Sequence, residues 1–463
     1  MTSGSSASIS RRERTLLAAV SLAPFLVYLL ARVLGYTKLL NLAGAAGVAL
    51  AGATAIFLRP RWGLWLLLFY VYAGLGFYFP MNPAGLVTLL VLAAVVLNLI
   101  RGDDNRLDDP WFWYANALFL LISLGSMVFA RDPVLSFKEL SSYAKMVLVT
   151  YLVVQLVRTP DDLKRLMFVV FAGAVAGVLF GVMNLAFGIQ PMGQNYIGGG
   201  ANLLRFAGTH ENPNRAAAIM CTALPLGLFA LKYSSRVLRV AIVAGIITLI
   251  VAMFATFSRS VVIPFAIIIA AVVIRELRSR RSYVALVALL AFAIVLTPRF
   301  YWERVFGLRE ALTTTTLDWS VYTRLLALRT AWEMFLDHPL TGIGIGNFLT
   351  AAAYQLFVRI VVHNSYLEIL VGTGVFGLLA FLLILLSGVR HTLTGARRRW
   401  KRHPEWMRSA SFYFMLSSLS IYLSAFFGTM PFRYPLWIPV AAGLVIGNLL
   451  REDRAEPQGV HSH

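Results

Sequence analysis

The chain has 463 residues, is 59% hydrophobic and 13% charged, and has a mean hydropathy of +0.74. Soluble globular domains do not carry this composition, so the sequence reads as an integral membrane protein. A net charge of +20 would suggest nucleic acid in a soluble chain; here it fits basic loops beside anionic lipid, and no nucleic acid partner is expected. The single cysteine, Cys221, excludes an intramolecular disulfide.

Arg11, Arg12 and Arg14 precede an apolar run over 15–34 with no clear small-residue cleavage site after it, the pattern of a retained signal anchor. Further apolar runs follow near 39–58, 62–79, 84–100, 111–130, 140–157, 165–188, 215–231, 237–257, 260–274, 282–297, 364–388, 409–427 and 434–450. About 12–14 of these windows are long enough to predict transmembrane helices, with 140–157 and 260–274 marginal. The expected class is an all-α polytopic membrane protein. Placing the N-terminus in the cytoplasm puts most basic clusters on that side, among them the seven basic residues from Arg390 to Arg408. Both termini are then cytoplasmic, and 189–214, 298–362 and 428–433 face outward. The predicted divisions are an N-terminal bundle over 1–297, an outer loop domain over 298–362, C-terminal helices over 363–450 and a cytoplasmic tail over 451–463.

The outer segment carries its own helical pattern. Over 324–337, Leu325, Leu328, Trp332 and Phe335 form an apolar stripe, with Arg324, Arg329 and Glu333 off it. His338-Pro339 ends the helix. Gly342, Gly344 and Gly346 predict a flexible turn, and 347–359 reads as a second amphipathic helix. Together they predict a helical lid on the membrane surface.

Polar residues at membrane depth need partners, which makes them functional candidates. His363, Asn364 and Glu368 sit at the mouth of the span that follows, with Asn364 and Glu368 four apart on one helical face. A helix start wetted by water and head groups would place the same residue types there. Arg205 precedes Asn212-Pro213-Asn214, where either asparagine can cap the next helix or bind a ligand. Arg259 lies where two apolar runs meet and must pair with an anion, reach the head groups or meet backbone carbonyls. Arg205, Arg259, Arg324 and Arg329 all fall on the same side as His363. Arginine suits phosphate because its planar fork binds two oxygens and stays charged, although contact with lipid head groups would explain any one of them. The adjacent carboxylate pairs, Asp103/Asp104, Asp108/Asp109 and Asp161/Asp162, fall on the cytoplasmic side, and no metal-ligand spacing is present, so no metal site is expected.

Three pieces of the sequence resemble the O-antigen ligase and polymerase superfamily of bacterial envelope glycosyltransferases. They are Arg205 with Gly208-Thr209 and Asn212-Pro213-Asn214; Ser258-Arg259-Ser260; and the series from Arg324 through Trp332, His338-Pro339-Leu340, Gly342-Ile343-Gly344, Asn347-Phe348 and His363-Asn364-Ser365-Tyr366 to Gly372 and Gly374-Val375-Phe376-Gly377. The chain departs from the pattern at Val361, where the superfamily often has a second histidine, so the chemistry is expected on His363 alone. The resemblance implies a GT-C-like membrane transferase of the inner membrane, acting at its periplasmic face. It would move a glycan from undecaprenyl pyrophosphate to an acceptor with inversion, needing neither metal nor cofactor. Within the superfamily the expected activity is the ligase that joins O-antigen to lipid A–core in lipopolysaccharide biosynthesis. Polymerase and protein O-oligosaccharyltransferase are the alternatives, and a transporter of lipid-linked oligosaccharide is the alternative from another class.

The same roles follow from residue chemistry. A neutral histidine can take a proton from a sugar hydroxyl. Fixed arginines stabilise the charge that develops on a departing pyrophosphate. His363 is the expected base and Arg205, Arg259 and Arg324 the clamp, with Arg329, Asn212 and Asn214 as further binding residues. Asn364 or Glu368 is expected to orient the imidazole, and membrane lipids surround the spans.

Overall fold

The computed structural model describes residues 52–78, 83–107, 109–187, 205–210, 212–276, 319–396 and 404–455. The predicted spans at 15–34 and 282–297, most of that at 39–58, and the first part of the outer segment lie outside the described residues. The helices are α1 (Pro60–Tyr72), α2 (Pro83–Ile100), α3 (Pro110–Ser126), α4 (Pro133–Leu156), α5 (Pro160–Ala186), α6 (Pro213–Tyr233), α7 (Arg236–Ala255), α8 (Val262–Glu276), α9 (Trp319–Asp337), α10 (Phe348–Leu356), α11 (Ser365–Ala396), α12 (Glu405–Ser424) and α13 (Tyr434–Ala455). Short 3-10 turns join or extend several of them, one of them at Arg259–Val261.

The first six helices open on proline, whose missing N–H and fixed φ suit the first turn. Asp109, Asp132 and Asn212 cap three of these helices through their side chains, and Thr159 with Asp162 forms a reciprocal capping box on a fourth. Eight helices among the described residues are long and apolar enough to cross a membrane: α2, α3, α5, α6, α7, α11, α12 and α13. The chain is an all-α polytopic membrane protein. Three expected spans are helices that fall short. At 13 and 15 residues, α1 and α8 are only about 20 Å long, against a hydrocarbon core of about 30 Å. The 24 residues of α4 carry Lys138, Glu139 and Lys145.

Helix directions follow from contacts at their ends. Lys232, late in α6, pairs with Glu405 at the start of α12 at 3.0 Å. Arg275, late in α8, donates to the Arg408 carbonyl at 3.0 Å. Both helices therefore run antiparallel to α12 and begin beside its C-terminus. Ser365, which opens α11, donates to the Gly428 carbonyl and accepts from the Met430 N–H at 2.9 Å, so α11 also begins there. At the opposite end Asp109 is buried and accepts from Arg390 and, at 2.8 Å, bonds His391, tying α3 to α11. Those bonds outweigh the cost of burial and bring the Asp109 pKa down to about 2. Between the ends, Phe119, Tyr143, Phe381, Phe432 and Trp437 stack in one aromatic core.

The longest helix is broken. With 32 residues, α11 reaches about 48 Å, longer than the bilayer core. Gly374 interrupts it at φ 71° and ψ −175°, a conformation that essentially only glycine adopts. The break leaves backbone groups to be satisfied, and a strap over 338–346 supplies the partners. Val375 N–H donates to Pro339 O at 2.9 Å, and Ile343 N–H to Val371 O at 3.0 Å. The turn expected to be flexible is instead fitted closely into this break. Gly342 has φ +66° and lies so near the backbone of Gly372 that a Cβ would collide with it, while Gly344 and Gly346 press on Ala130 and Glu139. Fully buried Asn347 then fastens the strap to the α3–α4 connection. Its amide donates to Ser136 Oγ at 2.6 Å and Asp132 O at 3.2 Å, and its Oδ1 accepts from Asp132 N–H at 2.8 Å.

In the outer segment α9 packs inward through Ala327, Thr330, Ala331 and Met334 against α10 and Val371 of α11. The stripe residues Leu325, Leu328 and Trp332 are exposed, and Phe335 is half-buried. Small residues make the close contact and leave the large apolar ones facing out, as a helix resting on lipid requires.

Replacing Gly374 by alanine should destabilise the protein by about 2–4 kcal/mol, combining backbone strain with a clash against the Leu340 carbonyl. Gly125→Ala, on α3 with open space around it, should be neutral or slightly stabilising. Thermal unfolding of the two variants in detergent checks the contrast; equal melting temperatures would exclude a structural role for the break.

Candidate active site

Two polar clusters form at the end of the bundle where α6, α8, α11 and α13 begin. In the first, Arg205 is buried just before α6. Its Nε donates to the Thr256 carbonyl, where α7 ends, at 2.9 Å. The carbonyl end of a helix is a favourable place for a cation. Its Nη2 donates to Asn214 Oδ1 at 2.9 Å. The same oxygen accepts from Ser258 Oγ at 2.9 Å, and Ser258 Oγ lies 2.7 Å from Ser260 Oγ. Arg259, between those serines, opens the 3-10 turn Arg259–Val261 and is half-buried. The asparagines divide their work. Asn212 caps α6, its Oδ1 accepting from the N–H groups of Asn214 at 2.8 Å and Arg215 at 3.4 Å, whereas Asn214 joins the Arg205 strand to the Arg259 turn.

The second cluster surrounds His363. This residue has φ 52°, in the left-handed region that non-glycine residues seldom occupy. Asn364 follows and turns its side chain into the helix, Oδ1 accepting from Tyr366 N–H at 3.0 Å and Leu367 N–H at 3.1 Å. The chain thus turns at a left-handed residue directly ahead of a capped helix. Burial, with the charge of Arg324 second, lowers the His363 pKa below its ordinary 6.5. At pH 7 the ring is neutral and able to accept a proton. Among the described residues no hydrogen bond joins His363 to Asn364 or Glu368, the two expected to orient it. Asn364 is occupied as a cap, and the charges acting on Glu368 are those of Glu139 and Arg433.

Both clusters adjoin α12. The Arg259 turn packs against it, and Tyr366, three residues after His363, donates from its hydroxyl to Tyr422 O near its end at 2.9 Å. The structure thus brings Arg205, Asn214 and Arg259 into one group and Arg324 and His363 into another, at the same end. Arg329 stands apart: it is exposed and pairs with Glu333 at 2.8 Å. Five residues beyond Arg324, it points about 140° away around α9. Sequence reading passed over Glu139 and Arg433, whose only signal was a charge beside an apolar run.

Residues 244–382 match the family described as O-Antigen ligase, Wzy_C. The match covers under a third of the chain and takes in Arg259, Arg324, His363 and Glu368, but not Arg205 or Asn214. It supports the O-antigen ligase and polymerase superfamily, whose members are glycosyl-transferring enzymes working on lipid-linked glycans in a membrane. No curated protein matches the chain.

Removing the Arg324 charge should raise the His363 pKa toward 6.5. NMR titration of labelled histidine in the wild type and in Arg324→Gln reads this directly; an unchanged or lower value in the variant would refute the electrostatic link. The stability sign is fixed by the same shift. The unfolded chain takes up this proton first as pH falls, so the contribution is present above about pH 6.5 and is lost as pH drops through the folded value.

Proposed function

We propose that the protein is an inverting, metal-independent glycosyltransferase that moves O-antigen glycan from undecaprenyl pyrophosphate to lipid A–core oligosaccharide. The observation that carries this reading is a neutral histidine beside Arg324, at the same end as a hydrogen-bonded group holding Arg205 and Arg259. His363 takes the proton of the acceptor hydroxyl. The freed oxygen attacks the anomeric carbon from the face opposite the pyrophosphate, and the anomeric C–O bond breaks with its electron pair leaving on phosphate. Arg205, Arg259 and Arg324 face the charge that grows on the leaving group, so they favour the transition state over the ground state. Asn214 fixes two of these elements relative to each other, so that little reorganisation is required as charge develops. The basic residues from Arg390 to Arg408 lie one span away from His363, and by the positive-inside rule this supports a periplasmic position for the His363 end.

Purified protein given the lipid-linked donor and lipid A–core should form product, and His363→Ala should abolish it without changing membrane insertion. Near-wild-type turnover in that variant would defeat the assignment. Arg205→Ala and Arg259→Ala should each lower the rate about 10²–10³-fold. Lysine should restore little, because it lacks the two-pronged fork. A second lipid-linked repeat unit offered as acceptor separates ligase from polymerase. Cysteines placed near 205 and 350, in a Cys221→Ser background, should react with an impermeant thiol reagent from the periplasm, and one near 400 only after the inner membrane is opened. The reverse pattern would put the site beside the wrong pool of substrate.

A further inference from the structure

A third polar group lies at the same end of the bundle as His363. Glu139 of α4, Glu368 of α11 and Arg433, just ahead of α13, act on one another electrostatically. They come from three separate elements, and the loop that carries Arg433 is bonded at Gly428 and Met430 to Ser365, two residues from His363. Arg433 is exposed. Glu368 Oε2 is sealed from solvent with no hydrogen-bond partner among the described residues. Ser424 Oγ, at the end of α12 in a residue 2% exposed, and Thr429 Oγ1, in the Arg433 loop, are in the same condition. A buried oxygen without a partner costs free energy that a polar group from elsewhere would relieve. Beside them Tyr366 stacks on Phe426 with ring centroids 4.4 Å apart, and Phe426 is half exposed.

The chemistry of this group differs from that of the arginine set. Two carboxyl groups with Arg433 and Lys138 acting on them make this group mixed in charge, where the first is built on arginine. Carboxyl oxygens that accept, a guanidinium that donates, hydroxyls that do both and an aromatic face match a polyhydroxylated, uncharged sugar. A transferase must hold an acceptor hydroxyl beside its base as well as the donor, and the arginines already suit the pyrophosphate. We infer that Glu139, Glu368 and Arg433 seat the acceptor sugar whose hydroxyl His363 deprotonates. This inference rests on the glycosyl-transfer reading. The three residues bind and orient; they take part in no bond that forms or breaks.

The test is the split between the two substrates. Arg433→Ala and Glu368→Ala should each raise KM for lipid A–core at least tenfold and leave KM for the lipid-linked donor within about twofold, with Glu368→Gln recovering part of the loss. Direct titration of lipid A–core onto wild-type and Arg433→Ala protein should show the same weakening without turnover. If the wild type makes no product but the titration still shows the loss, transfer fails and the seat stands. If the wild type makes product and Arg433→Ala keeps its acceptor KM, the seat fails and transfer stands. A rise in donor KM alone, or an equal rise in both, also overturns it. Arg433 is exposed, so that variant carries the test even where Glu368→Ala folds poorly.

Discussion

The bond from Val375 N–H to the Pro339 carbonyl closes the break in α11, and much of this end of the molecule depends on it. A helix cannot stop at membrane depth unless its free donors and acceptors find protein partners. Here a strap of backbone enters the gap, which only glycine on both sides allows, since side chains at 342 and 374 would meet carbonyl groups. The strap ends at Asn347, whose buried amide is bonded to the α3–α4 connection. The strap fixes the C-terminal end of α9, whose small residues pack on α10 and α11, and Arg324 acts on His363 from there.

Around that frame the polar groups separate by charge. Arg205 and the turn that carries Arg259 are joined through Asn214, which accepts from both Arg205 and Ser258. Glu139, Glu368 and Arg433 stand toward α4 and α13. His363 is at the same end, at a left-handed φ directly ahead of a capped helix. A neutral base with a cationic and a mixed-charge group at the same end suits acid–base chemistry between a phosphate-bearing and a hydroxyl-bearing substrate.

Much of this was legible in the chain. Asp-Pro, Thr-Pro and Asn-Pro pairs mark helix starts because capping and the missing proline N–H are local effects. The apolar runs mark spans because the cost of exposing backbone to lipid depends on length and composition. Three readings were revised. The glycine-rich turn is a packed strap, because the positive φ that suggests freedom also serves close approach. Asn364 caps a helix instead of holding the imidazole, because nearby backbone N–H groups compete for its oxygen. Arg329 turns away into an ion pair with Glu333.

The sequence alone determined the membrane class, the helix starts and the residue types at the proposed site, all of which follow from short-range geometry and composition. Only the tertiary structure decided which charges share a space. Arg205 and Asn214 are nine residues apart and bond Thr256 and Ser258 in the connection after α7, and Glu139 and Glu368 are separated by more than 200 positions. The electrostatic influence of one group on another depends on their distance in space and on the medium between them, whatever their spacing along the chain. Partnership is therefore fixed by how the helices pack, which residue patterns only bound and the fold has to settle.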